Sequence, residues 1–458
     1  MWLDKIRDPN CTTQKLMPKL ASYKSIAKPL GVIFAFVQGA GAALWTFPSV
    51  LGSAILIAWA AEAAQFLVSQ GLALAILAWL QTLPEFAVEA VIAWDAGRAV
   101  ATHPGTLEAA HASSLITANF TGSLRLLVGL GWPMIYATAA FFHRKQSKQR
   151  LHTVELEREH SVEIVFLLIS IAYFFLVWLK GTLNWMDTAA LTIIYLVYLF
   201  FLNKIPPQDE ERIEDMDRIP RFILRKRRAL RTSMIAGLFA GGGVILYFTA
   251  HPFLESLKAL AVGLGLSAFV FVQWVAPFLS EFPEKVSAFN WARKVTTAPL
   301  ALMNMVSSNI NQWTMLAAML PIAYALALGH WDAIVFDEHQ KGEILLTIAQ
   351  SLLGVALLAN MRFAYWEAAL LFVLWAAQFV LSGFEKPLDT EAHNQMATQL
   401  AAWLSVGVDQ VELIAHRSKE VITSIYLIWT GFIVVAAVKR RELFSALSIF
   451  PRLMREHW

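Results

Sequence analysis

One cysteine, Cys11, stands in 458 residues, which excludes an intramolecular disulfide and a thiolate metal cluster. Charge is also scarce. Asp, Glu, Lys and Arg make up 16% of the chain, where a soluble protein carries roughly a quarter. HExxH, GxSxG and Walker-type loops are missing, so the sequence gives no support to a zinc hydrolase, a serine hydrolase or an ATP-driven pump. Strand-like alternation of apolar and polar residues is absent as well, which argues against a membrane β-barrel. The formal net charge is only +3, and its basic residues flank apolar runs, so no nucleic-acid partner is expected.

What is abundant is apolar sequence, 57% of the chain. It falls into runs near the roughly 20 residues that a helix needs to cross a bilayer. These lie at about 30–48, 50–68, 71–95, 112–141, 161–180, 185–203, 232–250, 258–289, 297–329, 343–360, 362–382 and 420–438. The fold class expected is an all-α polytopic membrane protein with about twelve transmembrane helices. Basic residues concentrate in the first 28 residues, in "HRKQSKQR" (143–150), in the loop 204–231, at Arg293 and Lys294, and in "KRRE" (439–442). Twelve spans place all of them on one side, as the positive-inside rule asks. Both termini are then cytoplasmic, and the expected location is a bacterial inner membrane. Anionic lipid is the second expected partner of the basic loops, after the bilayer itself.

The expected organisation follows. Residues 1–28 form a cytoplasmic tail, too polar and mixed for a signal peptide. A first membrane half covers 29–203, with a repeat unit at about 71–141. The Pro-rich, charged loop 204–231 links it to a second half, 232–382, with its repeat unit at about 258–329. An outer-face segment, 383–419, contains an amphipathic stretch at 391–416. One further span and a basic tail fill 420–458.

The repeat is carried by "LQTLPEFAVEA" (80–90) and "LSEFPEKVSAF" (279–289). Each puts Pro-Glu inside a long apolar segment. Each is followed by a polar helix start, "SSLITANFTGSLRLLVGLG" (113–131) and "ALMNMVSSNINQWTMLAAML" (301–320), in which Asn119 matches Asn304 and Gly122-Ser123 matches Ser307-Ser308. The loop charges give the two units opposite orientations, as in inverted-repeat transporters with a midplane site. Proline removes an amide donor and frees carbonyls at that level. An ionised carboxylate in the bilayer centre costs about 2.5–3.5 kcal/mol and must be neutralised. A hard cation such as Ca²⁺ takes 6–8 oxygens. Glu85, Glu284, Asn119 and Asn304, with Thr82 and Ser280, supply such a set, and Glu85 and Glu284 are its expected metal-binding pair.

At these residues the chain resembles the calcium/cation antiporter superfamily, whose repeats hold a Thr-Ser-Leu-Pro-Glu type turn followed by Gly-Asn and Gly-Ser-Asn elements. Gln81-Thr82-Leu83-Pro84-Glu85 and Ser280-Glu281-Phe282-Pro283-Glu284 match the first element. Ala118-Asn119 with Gly122-Ser123, and Met303-Asn304 with Ser308-Asn309, match the second. The resemblance implies a secondary transporter, not an enzyme, that exchanges Ca²⁺ or a similar cation by alternating access. No resident cofactor is implied; the ions are cargo. The family implies Na⁺ as counter-ion, whereas Glu281, one turn before Glu284, is expected at the cation site as a further ligand or as a carboxylate that stays protonated, which brings proton coupling into view. Gln81 and Glu281 depart from the family's small hydroxyl residues, and Leu124-Arg125 from its Asn.

Each residue also has a plainer reading. The Pro-Glu carboxylates could be helix-break caps, and the asparagines could be interhelical hydrogen bonders. Glu89, one turn beyond Glu85, either lines the pathway or reaches water. Ser123, Ser308 and Gln81 are expected to tune the site. Glu62 is left between packing and proton relay. Arg125, inside a span, needs a carboxylate partner. If that partner were Glu85 or Glu284, the chain would be a non-transporting sensor or scaffold that kept the exchanger fold.

Overall fold

The computed structural model describes residues 39–64, 66, 79–204, 216, 218–385, 394–440 and 444–457. The tail 1–28, residues 71–78 of the first repeat unit and most of the linker 205–217 lie outside these. Among the described residues nine helices are long and apolar enough to cross a membrane.

The first half comprises α1 (Ala43–Ala64), α2 (Leu83–Thr102), α3 (Leu107–Leu126), α4 (Trp132–Ser147), α5 (Ser161–Lys180) and α6 (Trp185–Leu202). A short α7 (Arg218–Leu224) precedes the second half. This comprises α8 (Arg228–Leu264), α9 (Ala268–Ser280), α10 (Phe282–Ala292), α11 (Ala298–Asn311), α12 (Ala317–Leu328), α13 (Glu338–Leu358) and α14 (Tyr365–Ser382). Three helices follow: α15 (Gln395–Leu404), α16 (Val408–Arg440) and α17 (Ser445–His457). Local chemistry marks many of the ends. Thr106, Asn184 and Asp337 cap helix starts with side-chain oxygens. Gly181, Gly265 and Gly329 end helices in the left-handed conformation.

A π-turn, Leu127–Gly131, joins α3 to α4, and another, Gln312–Leu316, joins α11 to α12. They begin eight residues after Asn119 and eight after Asn304. Four short strands, β1 (Thr153–Glu155), β2 (Thr182–Leu183), β3 (Ile334–Val335) and β4 (Arg362–Ala364), complete a doubled order of helix, π-turn, helix, strand, helix, strand, helix. β1 pairs with β4, and β2 with β3. Helix α5 therefore runs from the β1/β4 end to the β2/β3 end, and its counterpart α13 runs back. The first helices of the halves, α1 and α8, pack antiparallel, with Thr46 against Ser256 at 3.1 Å and Ser53 donating to the Gly242 carbonyl at 2.8 Å. These two counterpart pairs, α5 with α13 and α1 with α8, run in opposite directions.

Several boundaries differ from those read in the sequence. The split expected between 48 and 50 falls inside α1, a single continuous helix that accommodates Pro48 in its second turn at the loss of one internal hydrogen bond. Residues 258–264, read as the start of a separate apolar segment, finish the 37-residue α8, and α9 starts at Ala268. At 1.5 Å per residue α8 is about 55 Å long, so it must tilt or project beyond the hydrocarbon. The amphipathic segment 391–416 is not one surface helix. Its described part is α15 and the first turns of α16, which continues unbroken through the expected final span. Glu412 on α16 accepts the Asn394 amide at 2.8 Å, and Asn394 in turn caps α15.

Close approach of α3 and α9 depends on Gly122. A Cβ there would lie 1.8 Å from the Gln273 carbonyl oxygen, a distance no backbone contact tolerates. Gly122→Ala is expected to force these helices apart, lowering the melting temperature in detergent and abolishing exchange. Wild-type melting in that variant would show that the two helices are not so closely packed.

Candidate functional site

Both Pro-Glu segments break their helices at a single residue. Thr82 precedes α2, and Glu281 separates α9 from α10. Proline in the first turn of each new helix lacks the amide that would continue the preceding one. The break turns Glu85 and Glu284 inward, one turn into α2 and α10, where both are essentially unexposed. Glu85 lies within electrostatic range of Glu89, Glu281 and Glu284. Four carboxylates are thus gathered in one dry region between the two halves.

The helices opposite supply amides and hydroxyls. Ser123 of α3 donates to Glu281 Oε1. Gln312, the first residue of the second π-turn, donates to Glu85 Oε2 at 2.7 Å and to Glu281 Oε1 at 2.9 Å, joining the two repeats. Asn311 donates to Thr82 at 2.5 Å, and Thr82 donates to the Trp79 carbonyl at 2.9 Å. Asn304 donates to Gln81 Oε1 at 3.3 Å, Gln81 to Ser287 at 3.4 Å, and Ser287 to Glu62 Oε1 at 2.8 Å. That series leads from the site to α1, so Glu62 is tied to the cluster rather than isolated in its span. Ser280 donates back to the Ala276 carbonyl of its own helix at 3.0 Å.

Many oxygens in this region receive no hydrogen bond. They are Glu85 Oε1, both oxygens of Glu89 and of Glu284, and the amide oxygens of Asn119 and Asn304; the Ser308 hydroxyl also lacks a partner. Ser308, Asn119 and Ser123 stand near Glu284, Glu89 and Glu85, respectively, but close no well-oriented hydrogen bond to them. Buried acceptors without donors are costly. Carboxylate and amide oxygens are the ligand types a hard cation takes, but no three of Glu85, Glu89, Glu281 and Glu284 bring their oxygens within 4.8 Å of one another; among the described residues the groups that do are Asp95, His251 and Glu255, and His339, Glu343 and Glu385.

Two residues stand apart from the sequence reading. Arg125 does not reach Glu85 or Glu284. It pairs with Glu343 of α13 at 2.7 Å, lies over the Trp274 ring and donates to the Thr121 carbonyl at 3.2 Å. Glu343 also accepts from Gln273 at 3.0 Å and from Lys419 of α16, which pairs in turn with Glu385 at 2.7 Å. Burial holds the Glu385 carboxyl above the ordinary carboxylate range, against the opposing pull of Lys419. The cation that does enter the cluster is Lys285, one residue after Glu284, whose ammonium lies 2.5 Å from Glu281 Oε2.

Lys285, Gln312 and the contact of Asn311 with Thr82 were not read as site features from sequence. Repeat comparison has no way to find the first two, because their counterparts by position are Phe86 and Leu127. Asn311 lies seven residues after Asn304 and three after Ser308, on one polar face of α11, and that spacing is the signal that marks it.

A family model described as sodium/calcium exchanger protein matches residues 38–204 and 234–384. The crystal structure of the H⁺/Ca²⁺ exchanger CAX is similar with a TM-score of 0.74 and 28% identity, over 97% of this chain and 98% of that one. The structure of native YfkE is similar in fold, with a TM-score of 0.50 and 16% identity, over 77% and 95%. A structure of the sodium-calcium exchanger NCX_Mj gives 0.46 and 17%, over 74% and 97%. No curated protein matches the chain.

Proposed function

Because the chain belongs to the sodium/calcium exchanger family, a family of secondary transporters, we propose that it exchanges Ca²⁺ for H⁺ by alternating access at the four-carboxylate cluster. The observation that carries this is the set of donor-free oxygens on Glu85, Glu89 and Glu284. A carboxylate with no donor, sealed from water, is stable in two forms only: bound to a cation or carrying its own proton. Those are the two loaded states of a Ca²⁺/H⁺ antiporter. Glu85 and Glu284 bind the divalent ion, with Asn119 and Asn304 adding neutral oxygens. Glu89 adds a carboxylate from the next turn of α2. Gln312 bridges the repeats and holds Glu85 in place. Thr82, Ser123, Ser308 and Gln81 set the shape of the site, and Ser280 lines the break.

The likeness to CAX over nearly the whole length supports protons rather than the Na⁺ that the family resemblance first suggests. The pairing of Arg125 with Glu343 speaks against the sensor reading in the form that placed Arg125 at the cluster. Opposed counterpart helices support rocking of one half against the other, which exposes a site between them to each side in turn. Arg144, Lys145, Arg293 and Lys294 lie at or near the β1/β4 end, and by the positive-inside rule that end faces the cytoplasm of a bacterial inner membrane.

The experiment is Ca²⁺ uptake into proteoliposomes under an imposed pH gradient without Na⁺, and under an imposed Na⁺ gradient at equal pH. Uptake is expected in the first case. Uptake in the second alone would replace H⁺ with Na⁺.

A further inference from the structure

The two repeats differ at two positions that touch each other. Where the first repeat has Thr82 at its helix break, the second has Glu281. Where the first has Phe86 one turn on, the second has Lys285. The second repeat therefore adds one carboxylate and one ammonium together. Both are buried, with Lys285 only 5% exposed, and they are bonded at 2.5 Å across the break between α9 and α10. A lysine buried in a membrane protein must be paired, and this one is paired inside the candidate transport site. Glu281 still takes part in that site through its other oxygen, which accepts from Ser123 and from the Gln312 amide that also holds Glu85.

We propose that the Lys285 ammonium is a tethered monovalent cation that permanently fills the position beside Glu281, so that the protein admits a divalent ion at Glu85 and Glu284 and has no place for Na⁺. This rests on the reading of the cluster as a cation site. An ammonium and a Na⁺ ion carry the same charge, and either would neutralise Glu281. The lysine, being attached, never leaves and cannot be exchanged. The Glu281–Lys285 pair then adds no net charge, and the charge available to cargo is that of Glu85, Glu89 and Glu284. Glu281 becomes a fixed acceptor that orients Ser123 and Gln312, rather than a ligand waiting for an ion. Lys285 is in these terms a specificity-determining residue, acting through Glu281.

The test is equilibrium Ca²⁺ binding to the purified protein, measured calorimetrically in choline and again with about 100 mM Na⁺ replacing it at constant ionic strength. Wild-type affinity is expected to be the same in both. Lys285→Met leaves Glu281 without its cation, and Na⁺ is expected to enter and weaken Ca²⁺ binding by about tenfold. The double variant Lys285→Met/Glu281→Gln removes both charges and is expected to return to Na⁺ insensitivity. It also guards against misfolding of the single variant, because it leaves no unpaired buried charge. Na⁺ competition in the wild type would overturn the proposal. So would a Lys285→Met protein that binds Ca²⁺ equally well in both media, or a double variant that Na⁺ still inhibits. These arms read binding, not flux. A protein that binds Ca²⁺ but moves none under a pH gradient would refute the exchange reading and leave the tethered cation to be judged by them.

Discussion

Glu284→Gln is expected to reduce Ca²⁺ exchange by about a hundredfold or more while leaving the folded protein intact. Even the residues behind direct metal ligands typically cost 10–100-fold when altered, and Glu284 would be a direct ligand. Neither of its oxygens receives a well-oriented hydrogen bond, so making one an amide disturbs only the looser contacts with Ser308 and Lys285. Glutamine is nearly the same size and is neutral, like the protonated carboxyl it replaces. What disappears is the charge that attracts the cation and the group that takes up the returning proton. The measurement is initial uptake rate beside the melting temperature in detergent. Near-normal flux would remove Glu284 from the site, and a collapsed melting temperature would assign it a structural role.

The largest effect on stability is expected away from that cluster, at Glu343→Gln. Arg125 is 1% exposed and has Glu343 as its carboxylate partner, through a 2.7 Å bond. Losing the charge leaves a guanidinium in a dry interior, with Thr121 and the Trp274 ring as its remaining contacts. Breaking one side of a buried pair typically costs about 3–5 kcal/mol. Lys419 also loses a partner but keeps Glu385, so the damage falls mainly on Arg125. The double variant Arg125→Met/Glu343→Gln is expected to recover most of the loss, because it removes both charges. Thermal unfolding of the three proteins checks this. Equal destabilisation by the single and double changes would mean that the pairing contributes little. The network matters to the architecture because it ties α16, which lies beyond the matched family region, to α3, α9 and α13.

The parts of this molecule that were legible in the sequence are those where composition or repetition forces the reading. Many apolar runs near 20 residues with few charges read as membrane helices, and two Pro-Glu breaks trailed by matching asparagines stand out because each repeat checks the other. What repetition cannot supply is asymmetry. Glu281 with Lys285, and Gln312 opposite Leu127, occur in one repeat alone; Glu281 and Gln312 reach across the interface to Ser123 and Glu85, while Lys285 bonds Glu281 within its own half. Arg125 was recognised as needing a carboxylate, yet the choice of Glu343 depends on how α13 packs against α3. The boundary errors have the same origin. An apolar run can be read as one span or two, and nothing local to residues 258–264 says that they belong to α8. Likewise, the polar opening of α16 conceals its continuity with the span that follows.

Alternation of Ca²⁺ and H⁺ at one site is tested most directly by trapping a pH indicator inside proteoliposomes and adding Ca²⁺ outside, in medium free of Na⁺. If the two ions exchange, the lumen turns alkaline as Ca²⁺ enters, and Glu284→Gln vesicles show neither change. Ca²⁺ entry with no change in luminal pH, or entry that begins only when the vesicles are loaded with Na⁺, would contradict it.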